Sequence, residues 1–173
     1  IITNIDREHM DFYQSIDNLK NYFIKFIEKV PSFGKSFICI DDKINNDIVK
    51  KLKNQNFYTY GTNPHSNFFI KNVRQNIRFS EFDLYVNVPN KKKLSLKKIK
   101  IPLLGIHNIR NSVAAAAVAL TVGLSIKNIK EGLLNFKGVQ RRFNKIFTYN
   151  GIDFYDDYAH HPTEIKMVLD GVN

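Results

Sequence analysis

"KSFICIDDKINNDIVKKLKNQNFYTYG" (residues 35–61) decides the fold class. "KSFICI" is a near-continuous apolar run that reads as a buried strand. "DDKINNDIVKKL" reads as a short helix, and "FYTYG" as a second strand. Strand, helix and strand in that order predict a parallel α/β unit. Cys39 lies inside the first strand, which makes it a buried structural thiol rather than a nucleophile.

Upstream, "IITNI" (1–5) is β-rich and leads into the acidic, histidine-bearing "DREHMD" (6–11). Ile16, Leu19, Phe23, Phe26 and Val30 then recur at helical steps, which predicts an amphipathic helix ended by Pro31. Downstream, residues 67–101 change to short alternating runs, read as an antiparallel extension of the sheet. "NIRNSVAAAAVALTVG" (108–123) reads as a helix closed by Gly123, and "SIKNIKEGLLNFKG" (125–138) as a second, capped by Ser125. "RFNKIFTY" and "GIDFYDD" form a hairpin around Asn150-Gly151. The best domain boundary falls between residues 138 and 150.

The chain has 173 residues, 43% of them hydrophobic, and one cysteine. It has no disulfide framework and no apolar run long enough to cross a bilayer, which points to a reducing cytoplasm. Both ends read as cut, so a fragment of a longer chain is expected. The net charge is +10. The joint abundance of Ile, Asn and Lys makes codon bias its main source, beside a site for small anions. "NKKKLSLKKIK" (90–100) alternates around Leu94, Leu96 and Ile99 like an exposed strand. It has neither the interleaved aromatics of a single-strand binder nor a groove-reading helix, so no specific nucleic-acid partner is expected.

Several motifs carry chemistry beside a plainer reading. Gly34-Lys35-Ser36 imitates a phosphate loop, but the required earlier glycine is Lys29, and a strand follows instead of a helix. His9, with Asp6, Glu8 and Asp11, is either a polar helix start or part of a divalent-metal site. In "GIHNIRNS" (105–112), Asn108 is either an N-cap or, with Asn111 and His107, a reader of a purine edge. Arg141 and Arg142 in "QRRF" are surface cations or a phosphate clamp. "DDYAHHPTEI" (156–165) gathers titratable groups between a strand end and a helix start with Pro162 or Thr163 in its first turn. Ligands bind at such places in open α/β sheets.

"ITNIDREHMDFY", "GIHNIRNSVAAAAVAL", "GVQRRF" and "YDDYAHHPTEI" occur in an order that resembles the Mur ligases of peptidoglycan synthesis, most of all their alanine-adding branch. The resemblance covers nearly the whole chain. It implies an α/β fold: a mostly parallel sheet flanked by helices with an antiparallel extension, then the first elements of a Rossmann-like C-terminal domain. Residues 1–143 would belong to the central ATP-binding domain and 144–173 to the C-terminal one.

The implied activity joins L-alanine to UDP-N-acetylmuramate through an acyl phosphate, with ATP and magnesium, by positioning and charge neutralisation. By motif, His9 would bind magnesium, and His107, Asn108 and Asn111 the adenine side of ATP. Arg142 would contact the phosphates and Asp157 the ribose. Tyr158, His160 and His161 would face substrate. Phe23 stands where several relatives carry a carbamylated lysine, so no modified lysine is expected. The phosphate loop and an acidic magnesium ligand would precede residue 1, so the chain alone is expected to be inactive. The rivals are the murein-peptide ligase branch and a non-catalytic fragment or binding module. Phe143 and Glu164 favour the alanine-adding branch.

Overall fold

The computed structural model describes residues 1–53 and 56–172. The chain enters at Ile2, which makes a single parallel bridge to Ile38. Helices α1 (Met10–Tyr13) and α2 (Ile16–Glu28) follow, the second capped by Ser15, whose side chain accepts the Asn18 N–H. Strand β1 (Ser36–Cys39), helix α3 (Lys43–Val49) and strand β2 (Phe57–Gly61) form the unit expected from residues 35–61, with β1 and β2 parallel. Asp42 caps α3 by accepting the Asn45 N–H.

Strands β3 (Phe68–Gln75), β4 (Ser80–Val86) and β5 (Leu94–Ile101) complete a sheet of order β1-β2-β3-β4-β5. β3 is parallel to β2, while β4 and β5 are antiparallel additions. A parallel step usually needs a crossover of a dozen or more residues. Here β2 and β3 share only Tyr60↔Phe68 and Gly61↔Phe69, so β3 starts beside the end of β2 and the connection need not travel back.

Two cores result. Ile38 points to one face, with Leu19 and Ile27 of α2 and Ile48 of α3. Phe37 and Cys39 point to the other, beneath α4 (Ile106–Thr121) and α5 (Ile126–Asn135). Burial on both faces explains the unbroken apolar run in β1, since a parallel strand covered on both sides has no solvent face to make polar. In α2 the buried stripe runs through Leu19 and Ile27, with Phe23 half-buried. Phe26, expected on that face, is 62% exposed. A seam stepping by four suits the crossing of α2 over β1, and Phe26 falls one position off it.

The step of three between Leu96 and Ile99 is a β-bulge opposite Phe82 and Leu84. Asp83 secures it by accepting the Lys98 N–H, while Asn72 at a second bulge donates to the same carboxylate. Leu96 and Ile99 therefore both reach the core, and the lysines face out.

The hairpin β6 (Asn144–Tyr149) and β7 (Ile152–Asp156) makes a separate two-stranded sheet. Asn150 and Gly151 form its turn at φ 48° and 77°, the left-handed pair that a two-residue hairpin needs. Helix α6 (Pro162–Val172) ends the described chain. Among the described residues no helix is long and apolar enough to cross a membrane.

Candidate functional site

The first turn of α4 forms one wall of a cleft of about 260 Å³. Gly105, at φ 89°, is the N-cap, and Asn108 is the third helical residue rather than the cap. A side chain at position 105 would place its Cβ 2.7 Å from the His107 ring, so the close turn requires glycine. Asn108 donates from Nδ2 to the Leu104 carbonyl at 2.7 Å, which leaves its Oδ1 as the acceptor end. Gln75 ties this turn to the chain's last helix: it accepts from Gly105 N–H and donates to the Gly171 carbonyl.

His107 and Asn108 line the cleft together with Leu103, Arg142, Phe143 and Tyr155. Phe143 and Tyr155 stack with centroids 4.3 Å apart, joining the segment before β6 to β7. His107 Nδ1 is buried without a hydrogen-bond partner. Burial lowers the His107 pKa; Asp157 opposes the shift, and Arg110 and Arg142 add to it. The ring is therefore neutral at pH 7, and one of its two nitrogens is an acceptor.

Asp157 faces the same turn. Its Oδ2 accepts the Phe143 N–H at 2.8 Å and its Oδ1 the Ala159 N–H at 2.7 Å. Each carboxylate oxygen keeps a second lone-pair direction for hydroxyl donors. Arg142 lies 3.7 Å from Glu164, with its side chain 53% exposed, a loose pairing that leaves the guanidinium able to turn toward an anion. The hydrogen bond from the His160 N–H is the main cause that holds the Glu164 carboxyl below its ordinary pKa.

Tyr158, His160 and His161 lead into α6, with Tyr158 edge-on to His160 and under Arg141. At the start of α6, Thr163 Oγ1 donates to Asp6 Oδ2 at 2.7 Å, and His161 Nδ1 lies 3.9 Å from the same oxygen. The Thr163 hydroxyl is the main reason that the Asp6 pKa is lowered. The acidic, histidine-bearing segment near residue 6 and the "HHPT" segment, 157 residues apart in sequence, thus meet.

Of the expected site residues, His107, Asn108 and Arg142 line the cleft, whereas Asp157, Tyr158, His160, His161, Asn111 and His9 are not part of its lining. Asn111 is exposed on α4, one turn beyond Asn108. His9 is exposed at the N-cap of α1 in left-handed backbone (φ 54°). Among the described residues no group of three or more His, Cys, Asp or Glu side chains is placed to hold a metal ion. One pair escaped the sequence reading altogether: Asp41 after β1 and Arg110 in α4, bonded at 2.7 Å. In the sequence the doubled aspartate after the first strand reads only as the start of a short helix.

Residues 1–119 match the family model described as the Mur ligase middle domain, and the chain belongs to that family. It is 67% identical over 172 residues to the UDP-N-acetylmuramate–L-alanine ligase of Pelagibacter ubique (strain HTCC1062), covering 99% of this chain and 37% of that protein. Its identity to the enzyme of the same name from Rickettsia rickettsii (strain Sheila Smith) is 43% over 171 residues, 98% of this chain and 35% of the relative. Thus the chain spans little more than a third of the length of these relatives. Among solved structures, MurF from Acinetobacter baumannii superposes with a TM-score of 0.80 at 24% identity, covering 99% of this chain and 37% of that one. UDP-N-acetylmuramate-alanine ligase MurC from Thermotoga maritima does so with a TM-score of 0.72 at 25% identity, covering 98% and 36%. The mostly parallel sheet flanked by helices is the fold shared with these Mur ligases.

Proposed function

We propose that this chain is the nucleotide-binding part of an ATP-dependent ligase that adds L-alanine to UDP-N-acetylmuramate in peptidoglycan synthesis. The observation that carries this reading is the meeting of His107, Asn108 and Arg142 around one cleft, with Asp157 beside them. The set of groups suits a nucleotide: a neutral buried imidazole, an amide on the cleft wall, a carboxylate with spare lone pairs, and a half-exposed guanidinium. The strong identity to relatives named for this reaction supports the substrate assignment.

In this reading Asn108 Oδ1 accepts from the exocyclic amine of adenine, and His107 bonds the same base. Asn111 lies one turn on, outside the cleft, and would meet the nucleotide only at its outer edge. Asp157 accepts from the ribose hydroxyls. Arg142 leaves Glu164 for the phosphates, where its planar fork matches two oxygens. Tyr158, His160 and His161 face the acceptor substrate from the start of α6. Bound ATP supplies the phosphoryl group that activates the carboxylate, and the residues here bind and orient it. His9 would contribute one ligand to a magnesium ion bound together with the phosphates of ATP. We read Asn144, where the separate hairpin sheet starts, as the beginning of a second domain.

The test is steady-state kinetics of the full-length protein, following phosphate release that depends on both ATP and L-alanine. Arg142→Lys keeps the charge and loses the fork, so kcat should fall by about 2–4 kcal/mol in barrier, the size of a lost transition-state donor. Asp157→Ala should act mainly on the KM for ATP, because ribose does not change charge during the reaction. Normal kinetics in both variants would sink the reading, and release driven by a peptide instead of L-alanine would redirect it to the murein-peptide branch.

A further inference from the structure

Asp41 lies two residues beyond the end of β1, and its side chain is only 6% exposed. Four donors converge on its carboxylate. Oδ2 accepts from Arg110 Nε at 2.7 Å and from the Thr62 N–H and Oγ1 at 2.9 Å each, and Oδ1 accepts the Asn63 N–H at 2.9 Å. One carboxylate therefore joins β1, the β2–β3 connection and α4. Backbone at Gly61 is shaped around it: at φ 145°, a Cβ there would sit 2.4 Å from Asp41 Oδ1.

The rest of the α4 contact with the sheet is non-directional. Ile109, Val113, Ala114, Ala116 and Ala117 are buried against it. A surface rich in alanine presents few ridges to lock into grooves, so packing alone sets the helix's height and rotation weakly. Among the described residues, Arg110 is the α4 side chain that hydrogen-bonds a residue remote from the helix, Asp41 in the turn after β1. Asn108 bonds the preceding Leu104, and Thr121 bonds Ala117 within the helix. Arg110 stands two residues from Asn108 and three from His107, the groups that line the cleft.

We propose that the Asp41–Arg110 pair is a positioning device for the nucleotide site: it fixes the first two turns of α4, and with them Asn108 and His107, against the carboxyl ends of β1 and β2. This inference rests on the nucleotide reading above. Replacing a buried ion pair by other well-fitted groups is often neutral for stability, so what the pair secures is geometry. Arg110 meets Asp41 through its Nε–H, a donor held in the guanidinium plane that a lysine ammonium does not reproduce.

The experiment measures kcat and KM for ATP in the full-length protein carrying Asp41→Asn, Arg110→Gln, both together, Arg110→Lys, or Thr62→Val, with Asn108→Ala as reference. Misplacement of the binding groups should raise the KM for ATP about tenfold in the first two, with kcat changed much less. The double variant, in which two amides can bond each other, should recover most of that loss. Thr62→Val removes one donor without touching the core, and with Arg110→Lys it carries the test if Asp41→Asn does not fold; a rise of about two- to fivefold in KM is expected. Unchanged KM in the pair variants while Asn108→Ala raises it would overturn the positioning role and leave the nucleotide reading standing. If Asn108→Ala is also without effect, the nucleotide reading itself falls, and this inference with it.

Discussion

His107 is held neutral mainly because burial disfavours its charged form. The sign of the consequence follows. An unfolded chain takes up a proton at this imidazole below about pH 6.5, whereas the folded chain resists it. The contribution of His107 to stability is then fully present above about pH 6.5 and is lost as pH falls toward its lowered folded value. Urea unfolding of the wild type between about pH 5.5 and 7.5 should show stability falling on the acid side, and His107→Gln should flatten that slope. An identical slope in the variant would mean that the ring is not desolvated. Cys39 offers a second check at this scale. It is 2% exposed and burial raises its pKa, so it should label slowly with thiol reagents in the native state and readily in denaturant. Fast native labelling would move it out of β1.

Among the elements, β1 is the one on which both cores depend. Ile38 is fully buried between α2 and α3, and Ile38→Ala should cost about 2–5 kcal/mol by equilibrium unfolding. Phe26→Ala, on the exposed side of α2, should cost within about 0.5 kcal/mol, the usual range for a surface substitution. Equal losses would restore the seam expected from spacing alone. Helix α6 is attached differently, by the Thr163–Asp6 bond at its start and the Gln75–Gly171 bond at its end. Asp6→Ala should loosen the start by about 1 kcal/mol, seen as faster hydrogen exchange in residues 161–166 with β1 unaffected. Unchanged exchange there would mean that α6 is held by its apolar contacts.

For the molecule as a whole, the 173-residue chain contains no glycine-rich phosphate cradle, and "FGKS" runs into β1 rather than a helix. Phosphoryl transfer depends on holding the β- and γ-phosphates. The purified chain should therefore release no phosphate from ATP in the presence of L-alanine, even where the cleft binds the nucleotide. Turnover by this chain alone would contradict that. A second feature belongs to this scale. Ile146, Phe147, Tyr149 and Ile152 on the hairpin, and Ile165 and Leu169 on α6, are all more than 40% exposed. Apolar surface of this extent marks a face suited to a packing partner.

Local signals were enough for what depends on neighbours in the chain. The apolar run of β1, the Ser125 cap, the Asn150-Gly151 turn and the end of α4 at Gly123 each follow from side-chain chemistry and backbone freedom within a few residues. Ordered motifs were enough for the family. Other features needed the folded chain. Whether Phe26 or Ile27 faces the core depends on how α2 crosses β1, and a helical pattern alone leaves that open by one position. Gly105 rather than Asn108 caps α4 because the turn must pass close to Gly171, which lies 66 residues further along the sequence. The meeting of Asp6 with Thr163, and of Asp41 with Arg110, joins residues that share no local pattern. Polar partners are chosen by distance in space, and only the packed sheet and helices set that distance.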